Sequence, residues 1–184
     1  MQSDRPISDE ELFQRIKSDD AKAFNILFER HFFSLCRFAG KFVKNTHLAE
    51  EVVSDVFLNI WLKKEKIHIK INLKTYLFTA VRNQSFNYLK KNKMHLEEIE
   101  TAVQENKTSD MNADTFMIYE ELKDELDMLL QQLPEKRQVI FRMNRIDGLS
   151  YKEIAEVLSL SIHTVQNHMV AAVKFISNLH PRRT

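Results

Sequence analysis

The chain has 184 residues, of which 43% are apolar; this suits one domain or two small ones with packed cores. Two Gly and three Pro are too few for a turn-rich β fold and fit an all-helical one, while the single Cys36 excludes an internal disulfide and suits a reducing compartment. The net charge of +1 conceals strong segregation, and the lack of a signal peptide or a membrane-spanning apolar run predicts a cytoplasmic protein with no membrane segment.

In chain order, residues 1–8 are expected to be disordered. Helical apolar spacing starts at Asp9 and continues through Leu12, Phe13, Ile16, Phe24, Leu27, Phe28, Phe32, Leu35, Phe38 and Phe42. Thr46 is a candidate cap for a helix whose inward stripe is Val52, Val53, Val56, Phe57, Ile60 and Trp61. A polar loop at 63–70 precedes a helix from about Leu73 to Leu89. Residues 94–113 lack periodicity and read as an acidic linker. Spacing resumes at Phe116, Tyr119, Leu122, Leu126, Leu129 and Leu133. Pro134 then starts a helix with Val139, Ile140, Met143 and Ile146 inward. The expected fold is all-α: two small helical domains, 9–93 and 114–180, joined by the acidic linker and followed by a basic tail at 181–184.

The most informative stretch is Asp147–His168, which reads as a helix-turn-helix. Gly148 can take positive φ past a helix end. Ser150 and Glu153 have capping-box spacing, and Ile154, Val157 and Leu158 form a stripe beside the small Ala155. Ser161 caps a second helix with Val165 and Met169 inward. Such a pair presents its second helix to the DNA major groove.

Two further segments carry chemistry. Residues 63–94 hold nine Lys/Arg and one Glu, net +8, interleaved with aromatic rings. Cations neutralise phosphates and rings stack on bases, although a solvated face is the blander reading. The face of Glu51, Ser54, Asp55, Leu58 and Asn59 is acidic, a poor DNA surface; on spacing alone a solvated face is favoured over a protein-docking one. Residues 95–133 carry net −9. They read as a solvated linker or as a mimic of nucleic acid that shields basic faces, the former being favoured for the free protein. No nucleophile–base pair or Gly-rich phosphate loop appears. His163 and His168 are five apart, off the i, i+4 spacing of two ligands on one helical face. No catalytic residue, metal site or cofactor is expected.

These motifs, in this order, resemble bacterial RNA polymerase sigma factors of the extracytoplasmic-function (ECF) class of the sigma-70 family, over about residues 20–176. Ala49–Trp61 is similar to region 2.2, and the loop at 63–71 with the helix Leu73–Leu89 is similar to regions 2.3 and 2.4. The pair Arg82-Asn83 and the ending Tyr88-Leu89-Lys90-Lys91 follow the family pattern, and Leu133-Pro134-Glu135-Lys136 through Val173 is similar to region 4. The chain departs from the pattern at Ser54, where Gln is usual, and at Ser159, where Gly is usual. A left-handed Ser costs about 1 kcal/mol, so the turn is expected to shift. Gln166, Asn167 and His168 stand where relatives carry more cationic residues.

The resemblance implies a non-catalytic subunit that binds core RNA polymerase, at the clamp helices of its largest subunit, and promoter DNA. Polymerase docking falls to Glu51, Ser54, Asp55, Leu58 and Asn59. The −10 element falls to Lys63, Lys64, Lys66, Lys70, Lys74, Tyr76, Arg82, Asn83, Phe86 and Lys90, with a flipped base received by the loop at 63–70. The −35 element falls to Ser150, Tyr151, Lys152, Ser161, His163, Thr164, Gln166, Asn167 and Lys174, with Arg182 and Arg183 as further positioning cations. An anti-sigma protein is a further implied partner. A linker of about 20 residues reaches about 65 Å when extended, nearly two turns of DNA. The alternative is a stand-alone helix-turn-helix transcriptional regulator; such proteins carry an α/β sensor domain, of which residues 1–94 show neither strands nor Gly turns.

Overall fold

The computed structural model describes residues 6–98 and 128–179, and every described element is helical. The chain divides between residues 108 and 109 into two compact units. The expectations for residues 1–5, for most of the linker, for Phe116, Tyr119, Leu122 and Leu126, and for the basic tail lie outside the described residues.

In the first unit, α1 (Asp9–Lys17) begins at Ser8. The Ser8 hydroxyl accepts the Glu11 amide at 3.2 Å while Glu11 accepts the Ser8 amide at 2.8 Å, a capping box whose first member is the last residue of the stretch expected to be disordered. Asp19 takes positive φ, and Asp20 caps α2 (Ala21–Val43) by accepting from the Lys22 and Ala23 amides. Arg15 grips the same Asp20 carboxylate through Nε and Nη2, which fixes the α1–α2 corner. Lys44 ends α2 in the left-handed region. The cap of α3 (Thr46–Lys63) is Asn45, not Thr46: its side chain accepts from the Leu48 amide at 3.0 Å. A short 3-10 turn, Lys64–Lys66, leads to a loop pinned by buried Ile67.

Asn72 opens α4 (Leu73–Glu98), accepting from the Thr75 amide. The helix runs about nine residues beyond the end expected at Leu89. The hydrophobic stripe fades there, but residues 90–98 contain no Gly or Pro to stop it. Helices α2, α3 and α4 pack around fully buried Leu27, Leu35, Phe57, Leu77 and Phe78, and α1 closes one side with Leu12, Phe13 and Ile16. Each such side chain contributes about 1.5–3 kcal/mol by leaving water.

The second unit is described from residue 128, with buried Leu130 and Leu133 leading to Pro134 and α5 (Glu135–Arg145). Ile146 was expected inward by i+7 spacing from Val139 but is 42% exposed. It lies one residue past the helix, where the Asp147 amide folds back to the Arg142 carbonyl and the chain swings away. Gly148 takes φ 73°, and the Leu149 amide then reaches the Met143 carbonyl at 2.8 Å. Helix α6 (Tyr151–Leu158) starts on the Ser150–Glu153 capping box. Ser159 ends it in the left-handed region at φ 55°, ψ 47°. The turn expected to shift does not: the Leu160 amide bonds the Ala155 carbonyl at 2.9 Å and holds Ser159 in place. Ser161 caps α7 (Ile162–Leu179), its hydroxyl accepting from the Thr164 amide. Val165, Met169 and Ala172 fill the core against Ile140, Ile154 and Val157.

Candidate functional site

Three surfaces concentrate the residues singled out by the sequence. On α3, Glu51, Ser54, Asp55, Leu58 and Asn59 are all exposed, because i, i+3, i+4, i+7 spacing puts them opposite the buried stripe. Leu58 is 53% exposed. It borders an open apolar cleft of about 460 Å³ that Phe24 and Phe28 of α2 line together with Ser54, Phe57 and Trp61 of α3. Edge-on ring contacts from Phe24 to Phe57 and Trp61, and from Phe28 to Phe57, stiffen the cleft floor. The aromatic contribution of α2 to this face was not expected from sequence. Phe24 and Phe28 show the spacing of core residues, and only the packing of α2 on α3 reveals that each keeps a partly open edge.

Asp55 also belongs to a second groove, where the sign of charge changes. Glu51 and Asp55 form one wall, Lys90 and Lys91 of α4 lie on the other, and Gln84, Asn87 and Tyr88 sit between. Gln84 Nε2 donates to Asp55 Oδ2 across it at 3.2 Å.

The basic segment is not uniform. Lys63, Lys66 and Lys70 are exposed. Lys64 is a strut: its side chain is 14% exposed, its Nζ lies 2.7 Å from Asp19 Oδ1, it donates to the Trp61 carbonyl, and it sits 4.4 Å over the Trp61 ring. Lys74 and Tyr76 are half-buried, and burial pushes the Tyr76 hydroxyl pKa up. Asn83, Phe86 and Lys90 are exposed on one side of α4, and half-buried Arg82 lies over the Phe86 ring.

In the second unit, Ser150, Lys152, Ser161, His163, Gln166, Asn167 and Lys174 are exposed, while Tyr151 and Thr164 are half-buried. At the start of α6 the Ser150 amide already donates to Glu153 Oε2 at 2.6 Å. That carboxylate therefore occupies the helix N-terminus, where any other anion would compete with it. Asn167 Nδ2 and His163 Nε2 are 3.2 Å apart, so these neighbours orient one another. Burial, and then the charges of Arg137 and Lys136, lower the pKa of His168 and favour its neutral form. Those two cations, at the start of α5, therefore lie near α7, which the sequence alone did not indicate. Val170 is 69% exposed, and its i+4 spacing puts it on the same face as Gln166.

Among the described residues, no three His, Cys, Asp or Glu side chains converge as metal ligands, and no helix is long and apolar enough to cross a membrane. Cys36 is buried, and desolvation followed by the nearby Glu50 charge pushes its thiol up to about 12, out of the range of a nucleophile.

A helical unit with an acidic face beside a basic, aromatic helix, followed by a helix-turn-helix unit, is the architecture of a transcription initiation factor. The family model "Sigma-70 region 2" matches residues 27–94, and "Sigma-70, region 4" matches residues 123–176. Together they cover well over half of the chain, which belongs to the sigma-70 family of RNA polymerase sigma factors. The ECF RNA polymerase sigma-E factor of Escherichia coli K12 is 24% identical over 180 residues, 94% of each chain. That of Haemophilus influenzae is 22% identical, covering 94% of this chain and 95% of its own. Among solved structures, CnrH in complex with the cytosolic domain of CnrY has a TM-score of 0.58 at 21% identity, covering 96% of this chain and 99% of its own. The sigma factor RpoE in complex with the anti-sigma factor NepR from Bartonella quintana has a TM-score of 0.59 at 20% identity, covering 89% and 100%. The chain is an ECF-type sigma factor for promoter-specific transcription.

Proposed function

We propose that this protein docks on core RNA polymerase through α3, opens and reads the −10 element with the 63–70 loop and α4, and binds the −35 element with α6 and α7. The observation that carries this reading is the juxtaposition in the first unit. The acidic, Leu58-tipped face of α3 and the basic face of α4 are held in one packed body, so docking on a protein and capture of DNA are geometrically linked. Exposed Lys63, Lys66, Lys70 and Lys90 neutralise phosphates, and Asn83 reaches a base edge. Lys64 serves the loop by bracing it. On α7, Gln166 and Asn167 are of the type that pairs with adenine edges. Lys136, Arg137, Lys152 and Lys174 supply positive potential around them.

The subunit acts in the cytoplasm and performs no chemistry of its own; it lends promoter specificity to the polymerase. One of the solved relatives is held by an anti-sigma factor, and an equivalent inhibitor is expected to compete for the α3 cleft or the α7 face here.

The test is transcription from a promoter library by core polymerase with and without the protein. New start sites with shared −10 and −35 elements support the reading, and unchanged initiation refutes it. Substituting Gln166 or Asn167 with Ala should erase preference at particular −35 positions and leave the −10 preference intact. Uniform weakening across sequences would make them phosphate contacts instead.

A further inference from the structure

Helix α1 is mounted firmly on the first unit. Its Leu12, Phe13 and Ile16 are buried, Asp9 holds Arg30 Nη1 at 2.6 Å and His31 Nε2 at 2.7 Å on α2, and Arg15 grips Asp20 at the corner. Each end of α1 carries a further anion that this mounting does not use: Glu10 in its first turn and Asp19 just past its last. Both reach the same loop. Asp19 Oδ1 lies 2.7 Å from Lys64 Nζ, where the loop leaves α3. Glu10 Oε1 accepts from the Leu73 amide at 3.4 Å, where the loop enters α4. That amide is in the first turn of α4, where the helix offers it no i−4 carbonyl and the helix dipole favours an anion.

Between these anchors the loop has little else to set its course. Residues 67–72 form no helix, and Ile67 is the one buried side chain from 65 to 72, while Lys66 and Lys70 are exposed. Lys64 is held on its own side by the Trp61 carbonyl at 3.3 Å and by the Trp61 ring at 4.4 Å. Two carboxylates beside a basic segment lower the positive potential that attracts phosphates. As a cover for the core, α1 needs only Leu12, Phe13 and Ile16. A loop set in advance, however, loses less freedom when it meets its target, and that gain offsets the lost attraction.

We propose that α1 is a brace for the loop between α3 and α4, and that Glu10 and Asp19 are positioning residues that set the rate of promoter opening through it. This rests on the sigma-factor reading given above.

The experiment uses complete protein with core polymerase at saturation, well below the melting temperature of each variant. Asp19→Asn removes the charge and tolerates the positive φ of 63° at this position. Glu10→Ala removes the acceptor and keeps a good helix former. Plain electrostatics predicts that losing either anion speeds association with DNA. The brace predicts the opposite sign. Each variant should open promoters about two- to fivefold more slowly, the factor carried by a partly exposed ion pair. Each should also weaken binding to a promoter whose −10 element is already unpaired, and leave affinity for core polymerase unchanged. Trp61 is the single tryptophan of the chain, so Asp19→Asn should change its emission as Lys64 leaves the ring. Opening at the wild-type rate or faster in either variant overturns the brace. So does an equal loss of polymerase affinity, which would mean a disturbed fold. Unchanged Trp61 emission in Asp19→Asn removes Asp19 as an anchor and overturns the brace at that end. A wild-type holoenzyme that opens no promoter refutes the sigma-factor reading, whereas an active wild type with equally active variants removes the brace alone.

Discussion

Gln84 on α4 reaches across a groove to donate a 3.2 Å hydrogen bond to Asp55 on α3, tying the acidic face to the basic helix. Both side chains sit at the surface, so the bond contributes little to folding. Asp55→Ala should change stability by less than about 0.5 kcal/mol. Its cost should appear in polymerase affinity, as should that of Leu58→Asp, each by roughly tenfold or about 1.4 kcal/mol. Thermal melting alongside competition binding to core polymerase separates the two effects. Unchanged affinity in both variants would move the docking face elsewhere.

Lys64 and Lys66 are two residues apart and should behave differently. Lys64 is paired with Asp19 and lies on Trp61, whereas Lys66 is exposed. Lys66→Ala should flatten the dependence of log affinity on log salt by about one charge while leaving the melting temperature alone. Lys64→Ala should do the reverse, lowering the melting temperature through a loosened loop and sparing the salt slope. Equal salt slopes for the two variants would show that the strut opens to meet DNA.

Ser159 occupies φ 55°, ψ 47°, where a Cβ is strained. Ser159→Gly should stabilise the second unit by about 1 kcal/mol. For a unit of this size that is a rise of about 4–8 °C in melting temperature. No gain would mean that the added backbone freedom of Gly in the unfolded chain cancels the relieved strain.

Asp9 joins α1 to α2, its carboxylate lying 2.7 Å from His31 Nε2 and 2.6 Å from Arg30 Nη1. Burial raises its pKa, but the hydrogen bond and charge of His31, followed by those of Arg30, outweigh that, and the carboxyl is held below 3.8. A carboxylate with a depressed pKa in the folded state stabilises above its unfolded pKa, and that stability is lost as pH falls through the folded value. Asp9→Asn should therefore cost about 1.5–3 kcal/mol at pH 7, and the gap from wild type should close as pH drops below 3.8. Melting both proteins across that range is the check. A gap independent of pH would mean that the carboxylate charge contributes nothing.

The helical periods were legible along most of the chain because helix faces are written locally, every third or fourth residue. The Ser150–Glu153 box and the positive φ of Gly148 followed from residue type for the same reason. Other local readings failed where two residues could do one job: Asn45 took the cap offered to Thr46, and Ser8 built a box with Glu11. Site residues divided similarly. The exposure of Glu51, Ser54, Asp55, Leu58 and Asn59 follows from the spacing of the buried stripe they oppose. That Lys64 braces rather than projects depends on Asp19, some 45 residues away in sequence, and no local pattern contains that distance.

Charge segregation, helix periods, capping motifs and the order of three surfaces were thus determined by the sequence alone, because each is a property of residues close along the chain. Tertiary structure decided which of those residues are free to act. It drew Phe24 and Phe28 into the cleft beside Leu58, paired Lys64 with Asp19, and let Leu160 hold Ser159 in a left-handed turn. It also aligned Phe78, Phe38, Phe42 and Phe86 beneath Arg82. Packing between helices assigns those roles, since whether a ring or a cation is spent on the core or left at the surface depends on what folds against it.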